Sequence, residues 1–494
     1  MEKFYITSSI PYVNASPHIG HALEYTQTDV IARYQSLLGK EVTLGTGTDE
    51  NSLKNVRAAE LRHISTAQLC AENSQVFRNL LKSMNILKGP FVRSSVKEEH
   101  WSGVYKLWEA CKKNGDIYSK KYRGLYCVGC EAFYTEGELI DGKCPNHNTR
   151  PDEVEEENYF FRLSRYQEKI EEIIKSGEYM ILPQERKNEI LSFIDSGLED
   201  FSISRSVSRA HGWGIPIPGD QGQIFYVWFD ALAVYLTSAG YGKNEEEFGK
   251  IWPADVHVIG KDIIRFHAVY WPAMLLSAGL ALPKRLFVHG FLTVEGKKMS
   301  KSLGNVISPF EIMDKYGADG MRYYLIRDIS TFEDGNFSQE GIRDRYNKEL
   351  VGDLGNLVNR VLTIAEKSGI SVFEGKAELA EDLHLDDILR DMDKGNLHEA
   401  LERIMEFVRS CNAYVNMKEP WKKSGSELGS ILYNLLEALR ISAILLYPFI
   451  PETAEKISAK IGIDAGTFKI KDCSFKERFE GRLNRGELLF RKIE

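Results

Sequence analysis

From the first residue, the apolar positions fall into a strand, a helix and a second strand. Residues 4–10 are a β-rich run, broken by Pro11 and the cluster Asn14-Ala15-Ser16-Pro17. Ile19, Ala22, Leu23, Val30, Tyr34, Leu37 and Leu38 then recur at helical spacing until Gly39 stops them. Residues 41–44 predict a second strand, ending in the turn-rich Gly45-Thr46-Gly47-Thr48-Asp49-Glu50. A strand, a helix opening at a polar turn and a further strand begin a parallel α/β sheet.

Residues 53–113 carry mostly helical patterns. After Gly115 glycines, aromatics and cysteines appear, and periodicity is lost until about Arg162. The α/β rhythm resumes at 224–227, 255–259 and 285–289. The expected fold is therefore a Rossmann-type doubly wound parallel sheet in two halves, 1–114 and 224–292, split by an insertion over 115–223. Beyond Glu340 the pattern is helical, as at Leu397, Leu401, Ile404, Met405 and Val408, and predicts an α-helical bundle over 351–494.

Composition narrows the picture little. A chain of 494 residues, 43% hydrophobic and 27% charged, suits a multidomain globular protein. No signal peptide is expected, because Met1-Glu2-Lys3 leads straight into the first strand. The apolar run 441–450, interrupted by Pro448, is too short to span a bilayer, so a cytoplasmic protein without membrane contact is expected. The net charge of −8 gives no overall field that draws in a polyanion, so nucleic-acid contact needs local basic surface.

Two short stretches carry the chemistry. Pro17-His18-Ile19-Gly20-His21 sits between strand and helix, where unsatisfied backbone amides favour an anion and both imidazoles reach the same phosphates. Taken alone, it also fits one capping and one solvated histidine. Lys297-Lys298-Met299-Ser300-Lys301-Ser302 lies between Gly296 and Gly304 and reads as a loop able to close over a leaving pyrophosphate. Taken alone, it also fits a solvated basic loop. No Gly-x-x-x-x-Gly-Lys-Ser/Thr stretch is present, which excludes a P-loop enzyme.

Together, His18-Ile19-Gly20-His21 and Lys298-Met299-Ser300-Lys301-Ser302 resemble in full the two signatures of class I aminoacyl-tRNA synthetases, in order and separation. The resemblance is to the methionyl family, and it runs from residue 3 nearly to the end. It implies His18, His21, Lys298 and Lys301 as catalytic groups, with Gly20, Met299 and Ser300 also on ATP and 293–350 as the signature loop and stem-contact region. Ser9-Ile10-Pro11-Tyr12, the stretch Tyr226-Val227-Trp228-Phe229-Asp230-Ala231 and the stretch Gly260-Lys261-Asp262-Ile263-Ile264-Arg265-Phe266-His267 resemble that family's substrate pocket. By that resemblance Ile10, Tyr12, Trp228, Ala231, Tyr235, Ile263 and His267 surround the methionine thioether. Asp49 holds its amino group, and Gly260 and Asp262 hold the ATP ribose. A polarizable sulfur gains from aromatic edges. One departure stands out: where the family commonly has Gly-Thr-Asp-Glu-His-Gly, this chain has Asn51-Ser52 in place of the His-Gly pair.

Cys127-Val-Gly-Cys130 and Cys144-Pro-Asn-His147 are separated by thirteen residues, the spacing of a zinc knuckle closed by three thiolates and one imidazole. With all four positions filled by protein, one structural zinc is expected. Asn356 and Arg360 stand at i, i+4 on one helical face, and Trp421 follows Pro420. The resemblance makes these three the readers of the CAU anticodon, by stacking and hydrogen bonding.

The implied activity is two-step attachment of L-methionine to tRNA(Met), initiator included, using ATP with Mg²⁺, in translation initiation and elongation. The chain stops at Glu494 without the oligonucleotide-binding module that dimerises some relatives, so a monomer is expected. The rivals are a class I synthetase for leucine, isoleucine, valine or cysteine, a cofactor-making nucleotidyltransferase, and a non-catalytic tRNA-binding relative. The first three amino acids require room for an editing insertion that this chain lacks.

Overall fold

The strand Lys3–Ser8 is buried at every position but its first. A strand hidden on both faces needs partners on both edges and helices above and below. The computed structural model of the protein supplies them. It describes residues 1–128, 132–134, 136–145, 148–298 and 305–494, with the side chains of 122, 132, 133 and 298 also outside the description. Ile6 lies opposite Leu44 of Glu41–Thr48 on one side and Val256 of Val256–Gly260 on the other, both parallel. Among the described residues the full order is Phe91–Arg93, Glu41–Thr48, Lys3–Ser8, Val256–Gly260, Arg285–His289, Met180–Leu182, with every pairing parallel. The order reverses at Lys3–Ser8 and Val256–Gly260, and a ligand crevice in such a sheet lies at the carboxyl ends of the strands there.

Three elements differ from expectation. Met180–Leu182 lies inside the stretch read as an insertion, yet it adds the last strand of the parallel sheet. Its three residues, like those of Phe91–Arg93, are too few to show a period of two. Residues 224–227 were expected in the main sheet. Instead Asp220–Phe225 pairs antiparallel with Ser204–Ser206 and Pro216–Ile217, and Val227 already begins the helix Val227–Thr237. Between 115 and 162, where no period was legible, Ile117–Cys127 pairs with Asp152–Phe161 in a long antiparallel ladder.

The helix Ile19–Leu37 lies against the sheet and carries buried charge at Asp29 and Arg33. Asp29 accepts from Arg33 and from Arg322, each at 2.7 Å. Arg322 is fully buried on Pro309–Arg327 and also donates to the carbonyls of Pro448 and Phe449 at 2.8 Å and of Met84 at 3.2 Å. A buried guanidinium is tolerable only when its donors are met in this way. Here it joins the first helix, the end of the helix Thr66–Ser83 and the bundle. Within the bundle Gly425–Leu446 is long and apolar enough to cross a membrane by composition, but 94% of its apolar window is buried, as in a core helix.

Candidate active site

The helix Ile19–Leu37 begins at a turn closed by its own histidines. His18 Nδ1 accepts from the Gly20 amide at 3.2 Å, and His21 Nδ1 accepts from the His18 amide at 3.1 Å. The rings stack with centroids 3.8 Å apart, and His21 meets Phe77 edge-on. Burial holds His18 at about 4 and His21 well below its ordinary value, the neighbouring His18 adding to the effect on His21. Both rings are therefore neutral near pH 7. With each Nδ1 accepting, the ring proton belongs on Nε2, so each imidazole presents an N–H donor from its far side. The expectation of unsatisfied backbone amides at this helix mouth is corrected. Gly20 and His18 amides are capped, the His21 amide bonds the His18 carbonyl, and Ile19 donates to the Ile307 carbonyl at 3.0 Å.

That last bond reaches just past the basic stretch. Lys297–Lys298 is a short strand rather than loop, pairing antiparallel with Leu292–Val294 around the two-residue turn Glu295-Gly296, both at positive φ. Leu292–Val294 pairs on its other edge with Gly335–Phe337. The Lys298 side chain, and Met299, Ser300, Lys301 and Ser302, lie outside the described residues. Beyond them, Ile307 is hydrogen-bonded to the histidine turn.

Gly260 ends its strand opposite His289, and a Cβ there would come within 3.0 Å of Asp262 Oδ1. Asp262 follows, exposed, in the turn Lys261–Ile263. Beneath this rim is a buried polar node absent from the sequence reading. Glu24 accepts from the Ser9 amide at 2.8 Å, from its hydroxyl at 2.6 Å and from His289 Nε2 at 3.0 Å, while His289 Nδ1 donates to the Gly290 carbonyl at 2.8 Å. Burial lowers the pKa of His289, but the Glu24 carboxylate more than offsets it, and the net direction is up.

Trp228, Ala231 and Tyr235 share one face of Val227–Thr237, and all three are buried. Tyr235 meets His267 Nε2 at 2.7 Å, and His267 Nδ1 meets the Ile263 carbonyl at 2.9 Å. A carbonyl only accepts, so Nδ1 carries the proton and the Tyr235 hydroxyl donates to Nε2. Burial holds His267 at about 4, which keeps it neutral. Trp228 stacks flat on Phe266 at 3.8 Å, with His267 edge-on to the indole. Phe266 was not singled out from sequence, although it directly precedes His267. Both lie on a single wide π-type turn, Phe266–Tyr270.

Tyr12, two residues after the half-buried Ile10, forms a second group with Asp49. Asp49 bridges to Tyr12, and its amide donates to the Pro11 carbonyl at 2.9 Å. Lys54 lies over the Tyr12 ring at 4.1 Å. Asn51 joins this wall to the other, its side-chain nitrogen 2.8 Å from Asp230 Oδ2. Ser52 caps the helix Leu53–Leu61. Of the residues expected around methionine, the structure joins Trp228, Tyr235, Ile263 and His267 in one cluster and Tyr12 with Asp49 in another.

Elsewhere, Arg360 donates to Asn416 Oδ1 at 2.7 Å and lies 5.9 Å from the Trp421 ring centre. Trp421 is 55% exposed, a large aromatic face open to solvent beside a guanidinium, and Asn356 is exposed one turn before Arg360. Asn416 was missed because nothing in its local pattern marks it. Cys127 and Cys144 are both buried, and Cys144 Sγ lies 3.6 Å from the hydroxyl of Tyr134, on the strand that pairs with that of Cys127. Cys130 and His147 lie outside the described residues. Among those described, no group of three or more metal-ligating side chains is found.

A parallel sheet whose first helix opens on paired imidazoles, with Ile307 hydrogen-bonded to that turn, is the framework of a nucleotide-activating enzyme. Residues 4–153 and 147–362 match the family described as tRNA synthetases class I (M), and residues 384–480 match the anticodon-binding domain of tRNA ligase. The chain belongs to the class I tRNA synthetases. Within them its family is the methionyl one. It is 43% identical to the methionine--tRNA ligase of Brucella suis, over 95% of this chain and 94% of that one. It is 41% identical to that of Caldanaerobacter subterraneus, over 100% of this chain and 79% of the other. The Mycobacterium tuberculosis methionyl-tRNA synthetase in complex with methionyl-adenylate superposes with a TM-score of 0.93 at 38% identity, covering 99% of this chain and 100% of that one.

Proposed function

We propose that the two walls and the histidine turn form one site for methionine and ATP, in an enzyme that attaches L-methionine to its cognate tRNA. The observation carrying this is the Ile19–Ile307 bond, which ties the segment that follows the basic stretch to the imidazole turn. The methionine carboxylate attacks the α-phosphate of ATP, giving methionyl-adenylate and pyrophosphate. The terminal ribose hydroxyl of tRNA then attacks the activated carbonyl. No protein nucleophile is needed in the first step, so alignment and charge stabilisation carry catalysis.

The Nε2–H groups of His18 and His21 act as neutral donors to the triphosphate at Gly20. Charge on the leaving pyrophosphate is met by Lys298 and Lys301, beside Met299 and Ser300, and by the Mg²⁺ that accompanies ATP. Gly260 lets the ribose approach backbone, and Asp262 accepts from its hydroxyls. Trp228, Ala231, Ile263 and His267 enclose the thioether with Ile10 and Tyr12, Tyr235 orients His267, and Asp49 pairs with the ammonium. Asn356, Arg360 and Trp421 read unpaired anticodon bases.

In this reading the catalytic halves are 1–114 and 224–292, 115–223 is the insertion from which 180–182 returns to the sheet, 293–350 contacts the stem and 351–494 binds the anticodon. The buried thiols of Cys127 and Cys144, close to one hairpin, suit a thiolate-bound ion. With Cys130 and His147 they would hold one zinc, which would brace the hairpin turns. The reaction is placed in the cytoplasm. ATP–pyrophosphate exchange across all amino acids, followed by tRNA charging, tests the function. Exchange with an amino acid other than methionine would overturn it.

A further inference from the structure

We infer that Asn51 is a positioning residue that fixes the width of the methionine pocket by clamping the Asp49 wall to the Trp228 wall. The inference rests on the pocket proposed above. Asn51 is 7% exposed, and its side-chain nitrogen lies 2.8 Å from Asp230 Oδ2 and 3.2 Å from the Ser94 carbonyl. A carboxylate and a carbonyl only accept, so this end of the amide is its NH₂ and both hydrogens are used. The three elements it joins are separate in sequence: the turn after Glu41–Thr48, the residue after Phe91–Arg93, and the helix Val227–Thr237.

Each wall is also tied to its own neighbours. Asp49 bonds Pro11 and bridges to Tyr12, while the Glu50 amide donates to Ser94 Oγ at 2.8 Å. On the helix, the Asp230 carbonyl meets His100 Nε2 at 3.0 Å, and His100 Nδ1 meets Thr237 Oγ1 at 2.9 Å. Asp230 is fully buried on the same helix as Trp228 and Ala231, and its Oδ2 is the atom that meets Asn51. Asn51 closes this path. A single nitrogen with two hydrogens spans both acceptors at one point, which one nitrogen of an imidazole cannot do.

The test measures ATP–pyrophosphate exchange, with active enzyme counted by adenylate burst so that misfolded protein lowers the count and not the constants. Asn51→Leu is expected to raise KM for methionine about tenfold or more, leaving KM for ATP within about twofold. In an Asp230→Leu background the same change should cost less than about threefold, since its partner is gone. Equal effects on both KM values, or independent multiplication in the double variant, would overturn the positioning role. If Asn51→Leu does not fold, Asn51→Ser is read in its place, and an unchanged KM for methionine overturns the inference. Trp228→Ala separates the two readings. If it leaves KM for methionine unchanged, the pocket itself is misplaced and this inference falls with it. If it raises that KM while Asn51→Leu does not, only the clamp fails.

Discussion

Tyr235 donates its hydroxyl to Nε2 of His267 across 2.7 Å, and the Ile263 carbonyl fixes the tautomer that makes this possible. A buried acceptor left without its donor costs about 1–3 kcal/mol. Tyr235→Phe should therefore raise KM for methionine by roughly one order of magnitude while sparing KM for ATP. Exchange kinetics with each substrate varied in turn check it.

Loss of an ammonium that meets the leaving pyrophosphate should act on the barrier and not on amino-acid binding. Lys301→Ala should slow adenylate formation by about 10²–10³-fold, with methionine affinity nearly unchanged. Stopped-flow adenylate formation and equilibrium methionine binding, measured on one preparation, test the split. Parent-like rates would remove Lys301 from the mechanism.

Trp421 stands in solvent beside Arg360, far in sequence from the catalytic half. Trp421→Ala should leave pyrophosphate exchange intact and lower tRNA charging through a weaker interaction of about 1–3 kcal/mol, the worth of one stacked base. A parallel fall in both activities would make the residue structural.

Several histidines are neutral because they are buried. His18 and His267 are held at about 4 and His100 at about 3, each by desolvation first. These folded values lie below the unfolded one, so the unfolded chain binds more protons between about pH 6.5 and 4. Stability should fall as pH drops through that window, by a few kcal/mol in order of magnitude. Urea midpoints from pH 7.5 to 4.5 measure it. His289, raised by Glu24, works in the opposite sense and should blunt the fall. Adenylate formation should show no titration of His18 or His21 between pH 7 and 9.

Elemental analysis should find about one zinc per chain, and Cys127→Ser should release it along with stability of the hairpin. Native protein free of zinc would contradict the knuckle.

Much of the site was legible because its chemistry is local. His18 and His21 share one turn, Trp228, Ala231 and Tyr235 share one helical face, and Asn356 and Arg360 share another. The resemblance then said which local patterns belong together. What stayed hidden depended on distant partners. Glu24 looks like an ordinary helical residue until Ser9 and His289 close on it, and Phe266 acquires a role only when Trp228 stacks on it. Met180–Leu182 and Phe91–Arg93 are too short to carry a period, and their place in the sheet comes from their neighbours. Asn51 was visible as a departure, but its contacts were not.

Arg322 sits where three parts of the molecule meet, its nitrogens committed to Asp29 and to the carbonyls of Met84, Pro448 and Phe449. A bend at that place would break the hydrogen bonds that compensate a buried guanidinium. The junction therefore resists bending. On the proposed reading of Trp421, an RNA bound there would reach the catalytic crevice by its own length and curvature more readily than by a swing of the enzyme about Arg322.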